Sequence, residues 1–304
     1  MASSENALRI VQSSFAQGIA SAGSKAAMAG RIIPATGAAT FKVGNGAFGG
    51  IGATLSRTAT SQSNSDWFTF ESDHTMLHKV LKHVVPVATT KTDYAFEQAG
   101  IQLAQAAVAT MDKLFFDGLE GLFAAAHPRA GAGAGQVGAA KLYLDTALKF
   151  ANTEAGEGTQ DNLLTSALSE SALNTAIKLL LQYRSDRGIP LHLGSNGGLS
   201  LVVAPKNAQL AHELVVSQLS GADMASNFVK NLISDIVVYP LTTDDDDWFL
   251  IDKANAPVGI AMESDPTARI ATTTDGLFYE MVSEVSCVFF KSPYEYGIVG
   301  SNVA

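Results

Sequence analysis

Residues 93–118, DYAFEQAGIQLAQAAVATMDKLFFDG, form the longest stretch of this sequence that keeps a single period. Ile101, Ala104, Val108, Met111 and Phe115 recur at alternating spacings of three and four, which places them on one face of an α-helix. Gln98, Gln102, Gln105 and Asp112 fall outside that stripe. Asp93 is the expected N-cap, with Glu97 in the first turn and Lys113 near the negative end of the dipole. Gly118 and Gly121 are the expected stop. At 1.5 Å per residue the rod is roughly 37 Å long, about the width of a small domain. Its length and the small residues through its middle point to a structural axis.

The 304 residues are 47% apolar and 16% charged, the make-up of a folded chain with room for two domains. Low charge combined with 27 glycines implies more surface against other protein than an ordinary monomer has. The single cysteine, Cys287, excludes an intrachain disulfide and fits a reducing compartment. No run of about 18 uninterrupted apolar residues exists, so no membrane span is expected. The first 24 residues lack the apolar core of a secretion signal. Leu8, Val11, Phe15 and Ile19 mark a short amphipathic helix there instead.

Charge is unevenly spread. Residues 1–90 hold seven Lys/Arg against four Asp/Glu, and residues 91–304 hold 13 against 25. A basic front and an acidic body attract each other between neighbouring copies. The net charge of −9 argues against a dedicated nucleic-acid binder, which needs a basic patch, and suits a container wall that does not adhere to polyanionic cargo.

Residues 1–65 read as an arm: one acid, Glu5, five basic residues and a Gly/Ala/Ser/Thr background. Such a segment buries too little apolar area to order itself, so neighbouring subunits are expected to hold it. A chain without residues 1–50 is accordingly expected to keep a soluble body. Residues 44–49, GNGAFG, match the dinucleotide fingerprint GxGxxG. That motif needs a buried strand before it and a helix after it, and here only Phe41-Lys42-Val43 precedes while Gly50-Ile51-Gly52 follows. It reads as a hairpin glycine cluster, with no cofactor. Residues 54–70 turn to Thr, Ser and aromatics, ending in the strand-like Asp66-Trp67-Phe68-Thr69-Phe70. His74 and His78 are spaced as a one-turn pair that on a helix can ligate zinc, but no Glu follows His74, so solvated or interface histidines are expected. Residues 79–88 read as a strand whose Pro86 favours an edge.

After the long helix, Pro128 and the run GAGAG at 131–135 mark a domain boundary. Residues 141–264 read as an α/β unit. It has a helix at 169–187 facing inward with Leu173, Ile177, Leu180 and Leu181, then a strand at 199–204 stopped by Pro205. A helix from about Asn207 and short strands at 236–239, 248–251 and 258–262 follow. Residues 244–247 are four aspartates; they lack the alternating ligands and turn glycine of a calcium loop and read as a solvated turn. Residues 276–298 are the longest strand region, with Tyr279, Met281, Val285, Cys287 and Phe289 on one parity. Cys287 has no nearby His and reads as a small core residue. No Gly-x-Ser-x-Gly elbow, P-loop or CxxC appears, and no acid pair is marked for acid–base work. No catalytic, cofactor or metal residue is expected.

In order and spacing these pieces resemble the Hong Kong 97-like shell fold of tailed-bacteriophage major capsid proteins, in detail the major head subunits of Mu-like phages. The strand KVLKHVVPVA before the long helix is similar to that family's run into its spine helix, and MDKLFFDG at 111–118 to that helix's ending. LVVAPKN at 201–207 resembles the strand-proline-helix step of the axial domain, and WFLID at 248–252 the strand that follows. Residues 276–297, with Pro293-Tyr294-Glu295-Tyr296-Gly297, are similar to the peripheral domain's closing strand.

The resemblance implies an α+β fold: an N-terminal arm at 1–35, an extended loop hairpin at 36–75 and a peripheral domain of 76–140 and 265–304 around a spine helix at 93–118. The axial α/β domain would be 141–264. It implies a shell of hexamers and pentamers around double-stranded DNA held without sequence-specific contact. Such a virion component is assembled in the bacterial host cytoplasm and joined by portal, scaffold or decoration proteins, with no membrane. Phe41, Phe48, Trp67, Phe68 and Phe70 are the candidate apolar contacts between subunits, and Arg31, Lys42 and Arg57 the candidate charged ones. For residues 67–70 a hairpin-base core stays equally open. Lys42 is the only lysine in the loop; no cross-link partner stands out, and no cross-link or removed leader is expected. An encapsulin-type compartment around an enzyme is the nearest alternative, and a nucleotide-dependent enzyme using residues 44–49 a distant one.

Overall fold

The computed structural model describes residues 4–35, 40–46, 69–86, 93–132, 136–149, 158–185, 190–195, 197–216, 219–220, 225–226, 229–240, 244–272 and 278–303. Its axis is the expected helix, α3 (Asp93–Gly121), 29 residues and about 43 Å long. Ala104, Val108, Met111 and Phe115 are buried and Ile101 half-buried. The buried surface is wider than one stripe, because Phe96, Ala99, Leu103, Ala107, Phe116 and Leu119 are buried too. A helix with so broad an apolar surface must be covered on more than one side.

One cover is strand β15 (Phe278–Lys291), about 46 Å of extended chain and so slightly longer than α3. The two run alongside each other. Phe96 meets Tyr279 edge-on at 5.3 Å near their starts, and Phe115 meets Phe289 at 5.9 Å near their ends. Met281, Val285 and Cys287 are buried between them, as the strand's parity predicts. Burial pushes the Cys287 thiol up, away from thiolate chemistry. Of the two glycines expected to stop the helix, Gly121 ends it, and the bound at Gly118 is overturned. A Cβ at Gly118 would lie 2.3 Å from the Phe289 ring, so this glycine marks a close helix–strand approach.

The other cover is α1 (Ser4–Ala22), which buries Ala7, Val11 and Phe15 against α3. The helices nearly touch: a Cβ on Gly100 would sit 2.7 Å from the Val11 carbonyl, and one on Gly18 2.6 Å from Ala104 Cβ. Gln12 Nε2 also donates to the Ala268 carbonyl at 3.4 Å. Residues 4–22 are therefore ordered by their own chain, contrary to the expectation that neighbours hold them. Deleting residues 1–50 would uncover α3 around Gly100 and Ala104, so a soluble body is no longer expected. The short α2 (Lys25–Ala29) follows, capped by Ser24 and by Asp112 of α3. Asp112 accepts from Ser24 Oγ at 2.7 Å, Ala26 N at 2.9 Å and Lys25 N at 3.2 Å. It lay outside the apolar stripe yet is buried, because it satisfies free N–H groups of the next helix.

The first sheet has β15 at its centre. One side pairs β4 (Leu77–Pro86); the other pairs β14 (Thr267–Thr272) and β13 (Val258–Met262), all antiparallel, and β1 (Arg31–Pro34) lies parallel to β13. Between β1 and β4 an antiparallel ribbon joins β2 (Thr40–Gly46) to β3 (Thr69–Thr75).

The second sheet has the order β11–β8–β12–β16–β7, from β11 (Ile233–Val238), β8 (Leu199–Val203), β12 (Trp248–Asp252), β16 (Ile298–Ser301) and β7 (Leu163–Leu164). Residues on β8 and β12 are buried on both faces, which explains their unbroken apolar runs. Leu201, Val203, Trp248 and Leu250 face α4 (Glu170–Gln182) and α5 (Ala208–Val216). Val202, Phe249 and Ile251 join the α3 core. Two-residue pairs, β5 (Leu148–Lys149) with β6 (Thr159–Gln160) and β9 (Leu219–Ser220) with β10 (Ala225–Ser226), tie the connections.

Two strands sit in the other sheet from the one expected. Residues 258–262, read as part of the α/β unit, pair with β15 in the first sheet. The closing strand breaks at Lys291, because Pro293 and Gly297 (φ +102°) turn the chain, and β16 crosses to the second sheet. Helix α4 ends at Gln182, five residues early, where Tyr183 swings out to ψ 139° as a buried anchor.

Replacing Gly118 with Ala adds helix propensity but drives a methyl into Phe289. We expect a net loss of about 1–3 kcal/mol in urea unfolding, against a gain of about 1 kcal/mol if the site had room.

Candidate assembly surfaces

The predicted contact residues divide by strand. Arg31 opens β1, opposite Gly259, and is exposed. Phe41 and Lys42 lie on β2 opposite His74 and Asp73, and Phe70 on β3 opposite Asn45, so the register brings these three onto one ribbon. Phe48, Arg57, Trp67 and Phe68 lie outside the described residues, as do residues 47–49 of the glycine motif. Among the described residues the ribbon's strands pair only with each other. Its base is anchored by Ala35, Met76, Ala261, Val288 and Phe290, and by His74 Nε2, 3.2 Å from the Lys291 carbonyl.

His74 and His78 are on successive strands and not one helical turn apart, which removes the geometry on which a zinc pair was considered. On β4, His78 faces Ser286 and His83 faces Met281 across β15.

Sequence reasoning passed over β4 as a surface. Among the described residues eight large apolar side chains are exposed, and three are on this strand: Leu77 (44%), Val80 (64%) and Val84 (44%). A ten-residue edge strand with such side chains is a ready template for another strand. The clue was in LHKVLKHVVP, where two lysines and two histidines interrupt an apolar run and no acid appears.

At the other end of α3, Asp117 and Glu120 line a groove with Asp244, Asp247 and Asn302. In the 244–247 turn Asp244, Asp245 and Asp246 cluster, with Asp245 exposed and the other two half-buried, and Lys206 bonds Asp246 at 2.7 Å. Asp247 itself is buried and accepts from Val303 N at 2.9 Å. Burial pushes its carboxyl up to about 6 against that hydrogen bond, helped by Asp244, Glu120 and Asp246.

A fully buried charged cluster was also missed. Arg129, 1% exposed, donates from Nη2 to Glu295 Oε2 at 2.7 Å and from Nε to the Pro293 carbonyl at 3.0 Å, with its guanidinium 4.3 Å from the Tyr294 ring centroid. Arg129 N donates to His127 Nδ1, so the imidazole proton sits on Nε2 and is donated to Glu295 Oε2 at 2.9 Å. Tyr183 Oη donates to Glu295 Oε1 at 3.3 Å. Burial opposes the Glu295 charge, but Arg129 and His127 overcome it and hold the carboxyl well below the usual range. The groups are sealed from solvent and mutually satisfied, so they pin the segment after α3 to the β15–β16 turn.

No protein-family model and no curated protein matches the sequence. Solved structures do match the fold. A virus-like particle from Pyrococcus furiosus aligns with a TM-score of 0.51 at 12% identity, covering 97% of this chain and 99% of that one. The capsid of a native GTA particle aligns at 0.53 and 12%, over 93% and 91%. The capsid of Ralstonia phage GP4 aligns at 0.52 and 12%, over 91% and 87%. The chain thus has the mixed α+β fold of phage capsid subunits, from end to end. Among the described residues no helix is long and apolar enough to cross a membrane.

Arg129→Ala should leave Glu295 charged and buried without its partner, costing about 3–5 kcal/mol in urea unfolding. For Asp247 the folded pKa lies above the unfolded one of about 3.9, so its penalty is full above pH 6 and fades as pH falls to 4. Asp247→Asn should therefore raise the melting temperature at pH 8, by about 2 °C or more, and make no difference near pH 4.

Proposed function

We propose that this chain is the major capsid protein of a tailed bacteriophage. It would assemble as hexamers and pentamers into an icosahedral shell around double-stranded DNA. The end-to-end fold match to capsid subunits carries the reading. In Hong Kong 97-like terms, residues 1–35 are the N-terminal arm and 36–75 the extended loop, with the β2–β3 ribbon at its base. The first sheet and α3 are the peripheral domain and the second sheet is the axial one. The sheet pairings support assigning β13 to the former and β16 to the latter.

The subunit's task is mechanical. The β4 edge and Arg31 are surfaces that an isolated chain leaves uncovered and a shell would cover, and the ribbon is the proposed reach onto a neighbour. The aromatics of the ribbon and loop (Phe41, Phe48, Trp67, Phe68 and Phe70) and the cations Lys42 and Arg57 are the proposed contacts. An acidic body keeps packaged DNA from sticking to the wall. The buried His127–Arg129–Glu295 cluster supports a structural role over a catalytic one, since no substrate reaches it. Portal, scaffold and decoration proteins are the proposed partners, the virion the location and the host cytoplasm the place of assembly.

A compartment shell enclosing protein is the second reading. The match to the Pyrococcus virus-like particle over nearly all of both chains is compatible with it. Electron microscopy of the expressed chain should show closed icosahedral particles of hexamers and pentamers. A chain that stays monomeric under all assembly conditions overturns both readings. Particles from the native source decide between them: DNA-filled heads with a portal, or shells holding a protein.

A further inference from the structure

We infer that Asp247 is a proton-operated latch at the joint between α3 and the second sheet. As a carboxylate it grips the segment after β16 and repels the end of α3; as a neutral acid it relaxes that grip and lets the joint close. The inference concerns one molecule and stands apart from the shell reading.

The joint combines aromatic stacks with an acidic groove. Phe116 stacks on Tyr239 at 3.9 Å and Phe123 on Phe249 at 5.1 Å, which fastens the end of α3 to the second sheet. At the same end of the helix, Asp117 and Glu120 of α3, Asp244 and Asp247 before β12, and Asn302 after β16 line the groove. Asp247 is 2% exposed, and among the described residues its one hydrogen-bond donor is Val303 N, at 2.9 Å. Three separate elements therefore meet on a single carboxyl group.

The charges that act on it share its sign. From α3 it faces Glu120 and, one turn back, Asp117, together with the negative end of the helix dipole. From its own turn it faces Asp244 and Asp246, with Asp245 beyond. Among the described residues the segment after β16 brings only the uncharged Asn302 and Val303. The two lysines at hand are engaged elsewhere: Lys113 lies 2.8 Å from Asp117, and Lys206 lies 2.7 Å from Asp246 and 3.4 Å from Asp245. Burial and these like charges raise the Asp247 carboxyl to about 6, so modest changes of pH switch it. A charged acceptor holds an N–H about twice as strongly as a neutral one, so ionisation tightens the bond to Val303 while it loosens the groove. The two effects have opposite signs, which separates a latch from a general change in stability.

Hydrogen exchange of the full chain at pH 5 and pH 8, corrected for the intrinsic rate at each pH, tests it. Amides at 119–125 should exchange about tenfold faster or more at pH 8, and the Val303 amide about fivefold slower. Asp247→Asn should erase both differences and keep 119–125 in the slow state at either pH. Asp244→Asn, which removes a neighbouring charge, should keep both differences and move their midpoint to lower pH. Equal corrected rates at the two pH values, changes of one sign at both places, or differences that survive Asp247→Asn would each overturn the latch. So would a midpoint that Asp244→Asn leaves in place, a comparison that holds even if Asp247→Asn does not fold.

Discussion

Helix α3 and strand β15 lie side by side over nearly their whole lengths, and each covers one side of the other. A helix this apolar cannot stand in water, and a strand of fourteen residues needs something rigid to stay straight. The fit depends on places where side chains are missing. Gly118 admits the Phe289 ring, and Gly18 and Gly100 let α1 settle against the helix nearer its start. Once α3 is clamped, its C-terminal half also serves the second sheet: Phe116 stacks on Tyr239 at 3.9 Å, and Phe249 and Ile251 share its core. The two sheets are thereby fixed to one rod.

The polar interior follows the same logic. A buried ion pair is a poor source of net stability, since desolvation offsets most of the attraction. Its value here is directional. The two oxygens of Glu295 take donors from Arg129 and His127 on the segment after α3 and from Tyr183 at the end of α4, so three distant parts of the chain meet in the one arrangement that satisfies them all. Asp247 is the opposite case, a buried acid among other acids at the end of α3, where the helix dipole is also negative.

The local periodicities were readable from the residues. The stripe on α3, the apolar face of α4, the strand-proline-helix step through Pro205 and the parity of β15 all appear where spacing places them. Partner choice was not. Periodicity says that residues 258–262 are a strand, but not which sheet receives it, and the strand at 298–301 lies past the closing strand read from the sequence; each pairs with the sheet opposite to the one expected. Asp112 and Glu295 escaped for a related reason: their donors, Ser24 and Arg129, are 88 and 166 residues away. Gly118 was legible as a glycine but not as a cleft for a ring. The N-terminal segment looked too poor in apolar residues to fold, because its partner, the small-residue face of α3, lies about eighty residues on.

Strand β16 is the last strand of the chain and yet lies inside its sheet, between β12 and β7. The centre of the first sheet, β15, is made almost as late. A ribosome must therefore deliver residues 278–301 before either sheet can close, so α3 stays only half covered through most of translation. The nascent chain at that stage holds no finished sheet, and the helix that both sheets need waits for the strands that will cover it. Order of synthesis thus makes closure of both sheets one of the last events in the folding of the chain.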